Sequence, residues 1–234
     1  MRCVLGLIFL VMASSLPVAA PAGVSLATTM QCVQEGEPRR RVRICTRLIE
    51  SGVLQSADLL WAYNSRAIAR FQLGDIAVAL GDLQTALELD PTFAPAYYTR
   101  GEINRRIGEY DKAIHAFDQA LQAIENGGTW LGSETKDGSV AHNADLRVSI
   151  LLSRSAAYIA LGRLVEAERD CQGALLITSD DPRPLINLGY ISALRGDYRS
   201  AVRFYEKASA LAPGDPQIEA DLKASRDAAG MSNQ

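Results

Sequence analysis

The sequence predicts an all-α chain of four stacked helix–turn–helix repeats, and three observations carry that prediction. Gly74, Gly108, Gly162 and Gly196 follow one another at spacings of 34, 54 and 34. An alanine stands five residues after each glycine (Ala79, Ala113, Ala167, Ala201) and another twelve after each (Ala86, Ala120, Ala174, Ala208). Apolar residues between them recur at spacings of three and four, the period of a helix with one buried face. A repeat step of that length in such a chain is a helical hairpin that buries its apolar face only against the next copy.

The second copy shows the local logic. Its first helix reads AYYTRGEINRRIG and its second YDKAIHAFDQALQAI. Gly108 stands between them, where a left-handed backbone costs least as glycine. The second helix presents Tyr110, Ala113, Ile114, Phe117, Ala120, Leu121 and Ile124 as one stripe. Ala113 and Ala120 are small where helices press closest, and Phe117 fills the space between. The first copy repeats this with Ile76, Leu80, Leu83 and Leu87, the third with Leu164, Cys171, Leu175 and Ile177, the fourth with Tyr198, Val202, Tyr205 and Leu211. Pro91 and Pro213 stop the second helix and start the next element.

This pattern of small residue, glycine, alanine, aromatic, alanine and proline resembles the tetratricopeptide repeat family over about residues 57 to 229. The resemblance implies a right-handed α-solenoid of four such units, at about 57–92, 93–126, 146–181 and 182–214. Glu125 and Ser179 stand where the family's closing proline is expected. Arg66, Arg100 and Arg154 occupy a slot that is often apolar in the family. Asp82 and Asp170 follow the first and third arginine at an offset of sixteen. Two readings stand for these arginines: an ion pair between the helices of one unit, or a side chain that snorkels to water.

The ends read as caps. Residues 39–50 form a lone second-type helix with Val42, Cys45, Leu48 and Ile49 on its apolar side. Residues 31–38 are its degenerate partner, giving a partial unit over 28–56. Residues 215–229, with Ile218 and Leu222, suit a solvated helix closing an open stack. Residues 230–234 are expected to be disordered. Residues 1–22 have the features of a secretory signal: Arg2, an apolar run from Val4 to Met12, breakers at Ser14, Ser15 and Pro17, and small residues around Ala20-Pro21-Ala22. Cleavage after Ala22 is expected, with Ala20 or Ala27 as alternatives. The apolar stretch, about 17 residues, is short for a membrane span. Residues 29–31 also lack the apolar and small pattern that precedes a lipidated cysteine. An exported protein, periplasmic in a Gram-negative cell, is the expectation.

The middle glycine spacing, 54, is longer than the period. The excess falls at 127–145, a glycine- and polar-rich stretch expected to be a surface loop. Trp130 and Leu131 are its apolar residues, either a partner anchor or side chains folded back on the helix ends. Cys171 shares the slot of Leu83, Phe117 and Tyr205 and reads as a buried, inert thiol. Cys32 and Cys45 flank the terminal helix at an offset of thirteen, and in an oxidising compartment a disulfide is the expected pairing.

The chemistry of the chain is that of a binder. Two histidines, His115 and His142, exclude a site built from several imidazoles. The cysteines lack zinc-ligand spacing, and Gly127-Gly128 lacks the lysine and strand context of a phosphate loop. No catalytic residue, metal site or cofactor is assigned, and an enzyme is not expected. The net charge of −3 argues against a general nucleic-acid binder. Arg39, Arg40, Arg41 and Arg43 form the dense basic run, either an acidic-partner contact or the wet side of a helix.

By resemblance, the first helix of each unit lines a concave groove. Its expected residues are Trp61, Asn64, Ile68 and Phe71; then Tyr98, Glu102 and Arg105; then Leu152 and Ile159; then Ile186 and Tyr190. The set is aromatic and aliphatic, suited to an extended peptide or an amphipathic helix. It does not match the Lys/Arg–Asn pattern by which some family members clamp a terminal carboxylate. The function implied is an exported, non-enzymatic interaction module with a protein or peptide partner. A self-associating structural component or assembly factor of the cell envelope is the alternative.

Overall fold

The computed structural model describes residues 26–127 and 139–231, with the backbone alone for 26–29 and 139–142. Eleven helices and no strand occur among them. Four hairpins follow one another: α3 (Ser56–Gln72) with α4 (Ile76–Leu89), α5 (Ala94–Arg106) with α6 (Tyr110–Glu125), α7 (Ser139–Ala160) with α8 (Leu164–Ile177), and α9 (Pro182–Leu194) with α10 (Tyr198–Leu211). A shorter pair, α1 (Leu26–Gln34) and α2 (Pro38–Glu50), precedes them, and α11 (Pro216–Ala228) follows. Each first helix also touches the next first helix, α1 on α3, α3 on α5, α5 on α7 and α7 on α9. The result is an all-α solenoid whose inner wall is made of the first helices.

The glycine ladder makes its four turns by one device. Gly74, Gly108, Gly162 and Gly196 have φ between +72° and +87°. The N–H of the residue after each glycine donates back to the helix: Asp75 to the Arg70 carbonyl, Glu109 to Asn104, Arg163 to Tyr158 and Asp197 to Ser192, all at 2.9 Å. That bond satisfies a carbonyl the helix end would otherwise orphan.

Each hairpin is closed by a small residue facing a larger one. Ala67 lies opposite Leu83, Gly101 opposite Phe117, Ser155 opposite Cys171, and Gly189 opposite Tyr205, seven positions before and nine after the ladder glycine. The large members are buried. The Ser155 hydroxyl, fully buried, donates to the Ala167 carbonyl at 3.0 Å and lies 3.1 Å from Cys171 Sγ.

Beside these pairs the arginines take the ion-pair reading. Arg66 Nε and Nη2 reach the two Asp82 oxygens at 3.0 and 2.7 Å, and Arg154 does the same to Asp170 at 2.8 and 2.6 Å. Both aspartates are buried. Each arginine also ties its unit to the one before. Arg66 donates to the Thr46 hydroxyl on α2, and Arg154 to Asp118 on α6. Arg100 has neither carboxylate: it donates to Gln119 and lies over the Tyr97 ring at 5.0 Å.

The structure departs from the sequence expectations at the edges. Residues 139–145, expected within the loop, begin α7, because neither glycine nor proline interrupts 139–160. The partial unit has a helix over Leu26–Gln34, earlier than the expected partner at 31–38. Cys32 and Cys45 are joined, S–S 1.99 Å, in a small core with Leu48 and Ala62. Gly230 and Met231, expected to be disordered, close α11. Gly230 has φ +70°, and the Met231 N–H donates to the Arg226 carbonyl at 2.8 Å. The leader, Trp130 and Leu131 lie outside the described residues.

Candidate functional site

The inner wall carries two cavities that meet at Tyr98. The smaller, about 230 Å³, lies between α3 and α5, where Ile68, Phe71 and Gln72 face Tyr98, Thr99, Glu102 and Arg106. The larger, about 320 Å³, opens between α5, α7 and α9. Tyr98 and Arg105 form one side, Ser149, Leu152 and Ser153 the floor, and Arg183, Ile186 and Asn187 the other side. The Tyr98 ring rests against Phe117, centroids 6.0 Å apart, so the groove residue is braced by the core of its own unit.

The charges along this wall are arranged in pairs. Glu102 accepts from Arg105 through both oxygens, at 3.1 and 3.0 Å, and Arg106 stands 3.9 Å away. Burial pushes the Glu102 carboxyl upward, but hydrogen bonds with Arg105 and Ser153 outweigh it and hold the group below its ordinary value. Burial raises the Tyr98 phenol, so the ring meets a ligand neutral; Ser153 hydrogen-bonds it as well. Across the larger cavity, Arg183 folds onto Asp181 with a closest approach of 2.6 Å.

The expected groove residues divide. Ile68, Phe71, Tyr98, Glu102, Arg105, Leu152 and Ile186 line the two cavities. Asn64 does not: it is 3% exposed and lies beneath the wall. Its position matches that of Tyr98, but α1 and α2 pack over this end of α3. Trp61 is half-buried and meets Phe93 edge-on, centroids 5.2 Å apart, as part of the α3–α5 core. Ile159 packs into the core of the third unit. Tyr190 is 49% exposed and lies outside both cavities.

Sequence reasoning missed the polar column beside the apolar one. Ser65, Thr99, Ser153 and Asn187 each stand nine positions before a ladder glycine. Thr99 lines the smaller cavity, and Ser153 and Asn187 the larger. The ladder contains this signal, since equal offsets from the glycines mark equal faces. It is easy to overlook because hydroxyl side chains on a helix read as neutral surface.

No cluster of three or more metal-ligating side chains exists among the described residues. No described helix is long and apolar enough to cross a membrane. Arg39, Arg40 and Arg43 are exposed on α2, and Arg40 pairs with Glu35 at 3.0 Å.

Comparison with known proteins adds the repeat family. Models of the tetratricopeptide repeat match residues 64–127 and 185–219. The chain carries tetratricopeptide repeats. Residues of this tetratricopeptide-repeat chain are 36% identical over 61 positions to Hsp70-Hsp90 organizing protein 3 of Arabidopsis thaliana, covering 26% of the chain and 11% of that protein. A DnaJ homolog subfamily C member 7 homolog of Dictyostelium discoideum is 28% identical over 85 positions, 36% of the chain and 16% of the relative. The chain thus spans a small fraction of the curated relatives it matches.

Among solved structures, the Cut9 and Hcn1 hetero-tetramer of the APC/C gives a TM-score of 0.64 at 18% identity, over 84% of this chain and 34% of that one. MamA of Desulfovibrio magneticus gives 0.60 at 18%, over 81% and 94%. YrrB, described as a tetratricopeptide-repeat protein with an unusual peptide-binding site, gives 0.56 at 19%, over 81% and 85%. At such identities these likenesses concern the fold alone.

Proposed function

We propose that this chain is an exported, non-enzymatic interaction module that holds a peptide segment of a partner protein along its inner wall. One observation carries the reading: two cavities in line, joined at Tyr98, on helices already ordered by the solenoid. A preformed groove avoids much of the ordering cost of binding. Apolar anchors would enter beside Ile68 and Phe71 and beside Leu152 and Ile186. The column of Thr99, Ser153 and Asn187 would meet the peptide backbone. Peptide-binding solenoids of this repeat type and the organizing-protein relatives support an interaction role rather than catalysis. The test is selection of peptides on the full chain, followed by Tyr98→Ala. Peptide capture at least tenfold weaker with an intact thermal transition is expected; unchanged capture would overturn the groove. Export rests on the leader-like segment 1–22, and N-terminal mass analysis of the protein from its own cells tests it.

One observation favours a second reading, self-association. Leu176 is 90% exposed and Val165 64%, on the same face of α8. Sedimentation of wild-type and Leu176→Glu protein decides it: equal, concentration-independent monomers would end this reading.

A further inference from the structure

An offset of sixteen separates the arginine slot of each unit from an opposing slot on the second helix. The four units fill the two slots in three ways: Arg66 with Asp82 and Arg154 with Asp170, Arg100 with Ala116, and Leu188 with Phe204. Units one and three hold a complete ion pair. Unit four replaces both partners with apolar side chains. Both solutions are electrically closed, and exchanging one for the other costs little. Unit two alone keeps the cation and lacks the acid, the arrangement that leaves a partly buried charge uncompensated.

The space is open as well as unpaired. A cavity of about 550 Å³ lies between α5 and α6, where Arg100 and Asn104 face Lys112, His115, Ala116 and Gln119. It lies on the side of α5 turned away from the groove. Asp111 is the carboxylate in its lining, and it also faces Arg163 of the next unit. Lys112 turns to Glu109 at 3.1 Å on the exposed side. Burial lowers the Arg100 pKa, and no described carboxylate offsets it; the Tyr97 ring is its other charged-state influence.

We propose that the cleft between α5 and α6 receives the carboxylate of an Asp or Glu side chain from a protein partner, seated on Arg100 in the position that Asp82 and Asp170 hold in the flanking units. Gln119, which already accepts from Arg100, and the Asn104 amide offer further polar contacts around that position. The site is separate from the groove, so Tyr98→Ala leaves it unchanged and the two readings fail independently.

The test follows arginine Nε–H resonances of the full chain at constant ionic strength. Acetyl-Gly-Glu-Gly-amide is titrated against acetyl-Gly-Gln-Gly-amide, sodium acetate and potassium phosphate. The glutamyl peptide is expected to give a saturable shift of the resonance that Arg100→Gln removes, at least tenfold tighter than the glutaminyl peptide and tighter than acetate. Ala116→Asp supplies the missing acid internally, so it should silence the response even where Arg100→Gln fails to fold. The proposal is overturned by no saturable shift in the wild-type protein, by an equal response in Ala116→Asp, by acetate binding as tightly as the peptide, or by a response to phosphate in place of the peptide.

Discussion

A Cβ atom on Gly101 would overlap the ring of Phe117, which is fully buried across the hairpin. Gly189 stands in the same relation to Tyr205, whose ring would lie 2.8 Å from a Cβ at that position. Where the large member shrinks to leucine, the small one grows to alanine: Ala67 faces Leu83. These three hairpins are therefore packed to a similar summed volume, as dense interiors demand, while the Ser155–Cys171 pair is smaller and is joined by a polar contact instead. Gly101→Ala gains about 1 kcal/mol of helix propensity but overpacks the core at a cost of about 1–3 kcal/mol. The expected net effect is a loss of stability in chemical denaturation. Adding Phe117→Leu recreates the Ala67–Leu83 pairing and should restore most of it. A Gly101→Ala protein more stable than wild type would show that the helices separate freely.

The Arg154–Asp170 pair tests the ionic seam. Arg154→Met leaves Asp170, 4% exposed, without its cation, and loss of about 3 kcal/mol is expected. Asp118→Asn touches the same arginine at its half-exposed end, where a pair contributes less than about 1 kcal/mol. Urea titrations of both variants check the ratio. Equal effects would mean that the buried contact has no special weight.

The ladder is legible because glycine and alanine at fixed offsets reflect backbone requirements, which sequence states directly. Arg66–Asp82 and Arg154–Asp170 are legible for a related reason: an offset of sixteen in a hairpin of known length brings two slots together. The ends of the groove are not. Asn64 has the offset of Tyr98 and Ile186, yet α1 and α2 cover it, and no residue of the repeat itself records that cover. Thr99, Ser153 and Asn187 escape notice because their polarity hides an inner face. The start of α7 falls earlier than expected because glycine-rich composition up to Gly138 suggests more loop than the backbone has.

Cys171 gives a pH-dependent signature. Burial pushes its thiol from 9.0 up to about 11. The folded state thus holds its proton while the unfolded state loses it between those values. Stability from this group is present below pH 9 and lost as pH rises towards 11, by about 3 kcal/mol at most. The stability difference between wild type and Cys171→Ala should shrink over that interval. Native Cys171 should also resist thiol reagents at pH 8 and react on unfolding. Rapid labelling of the folded protein would refute the assignment.

The Cys32–Cys45 bridge closes a thirteen-residue separation around the turn between α1 and α2. Loop-closure entropy for so short a segment corresponds to about 3 kcal/mol. Its effect should be local, because α1 packs mainly on α2 and α3, and terminal units of a solenoid answer mainly to their neighbours. Reduction is therefore expected to raise amide exchange in α1 and α2 by about a hundredfold, with the α9–α10 hairpin unchanged. Arg66 connects the two regions through Thr46, at 3.1 Å, so α3 should show a smaller response. Uniform acceleration through α10 would mean that the terminal pair nucleates the whole stack.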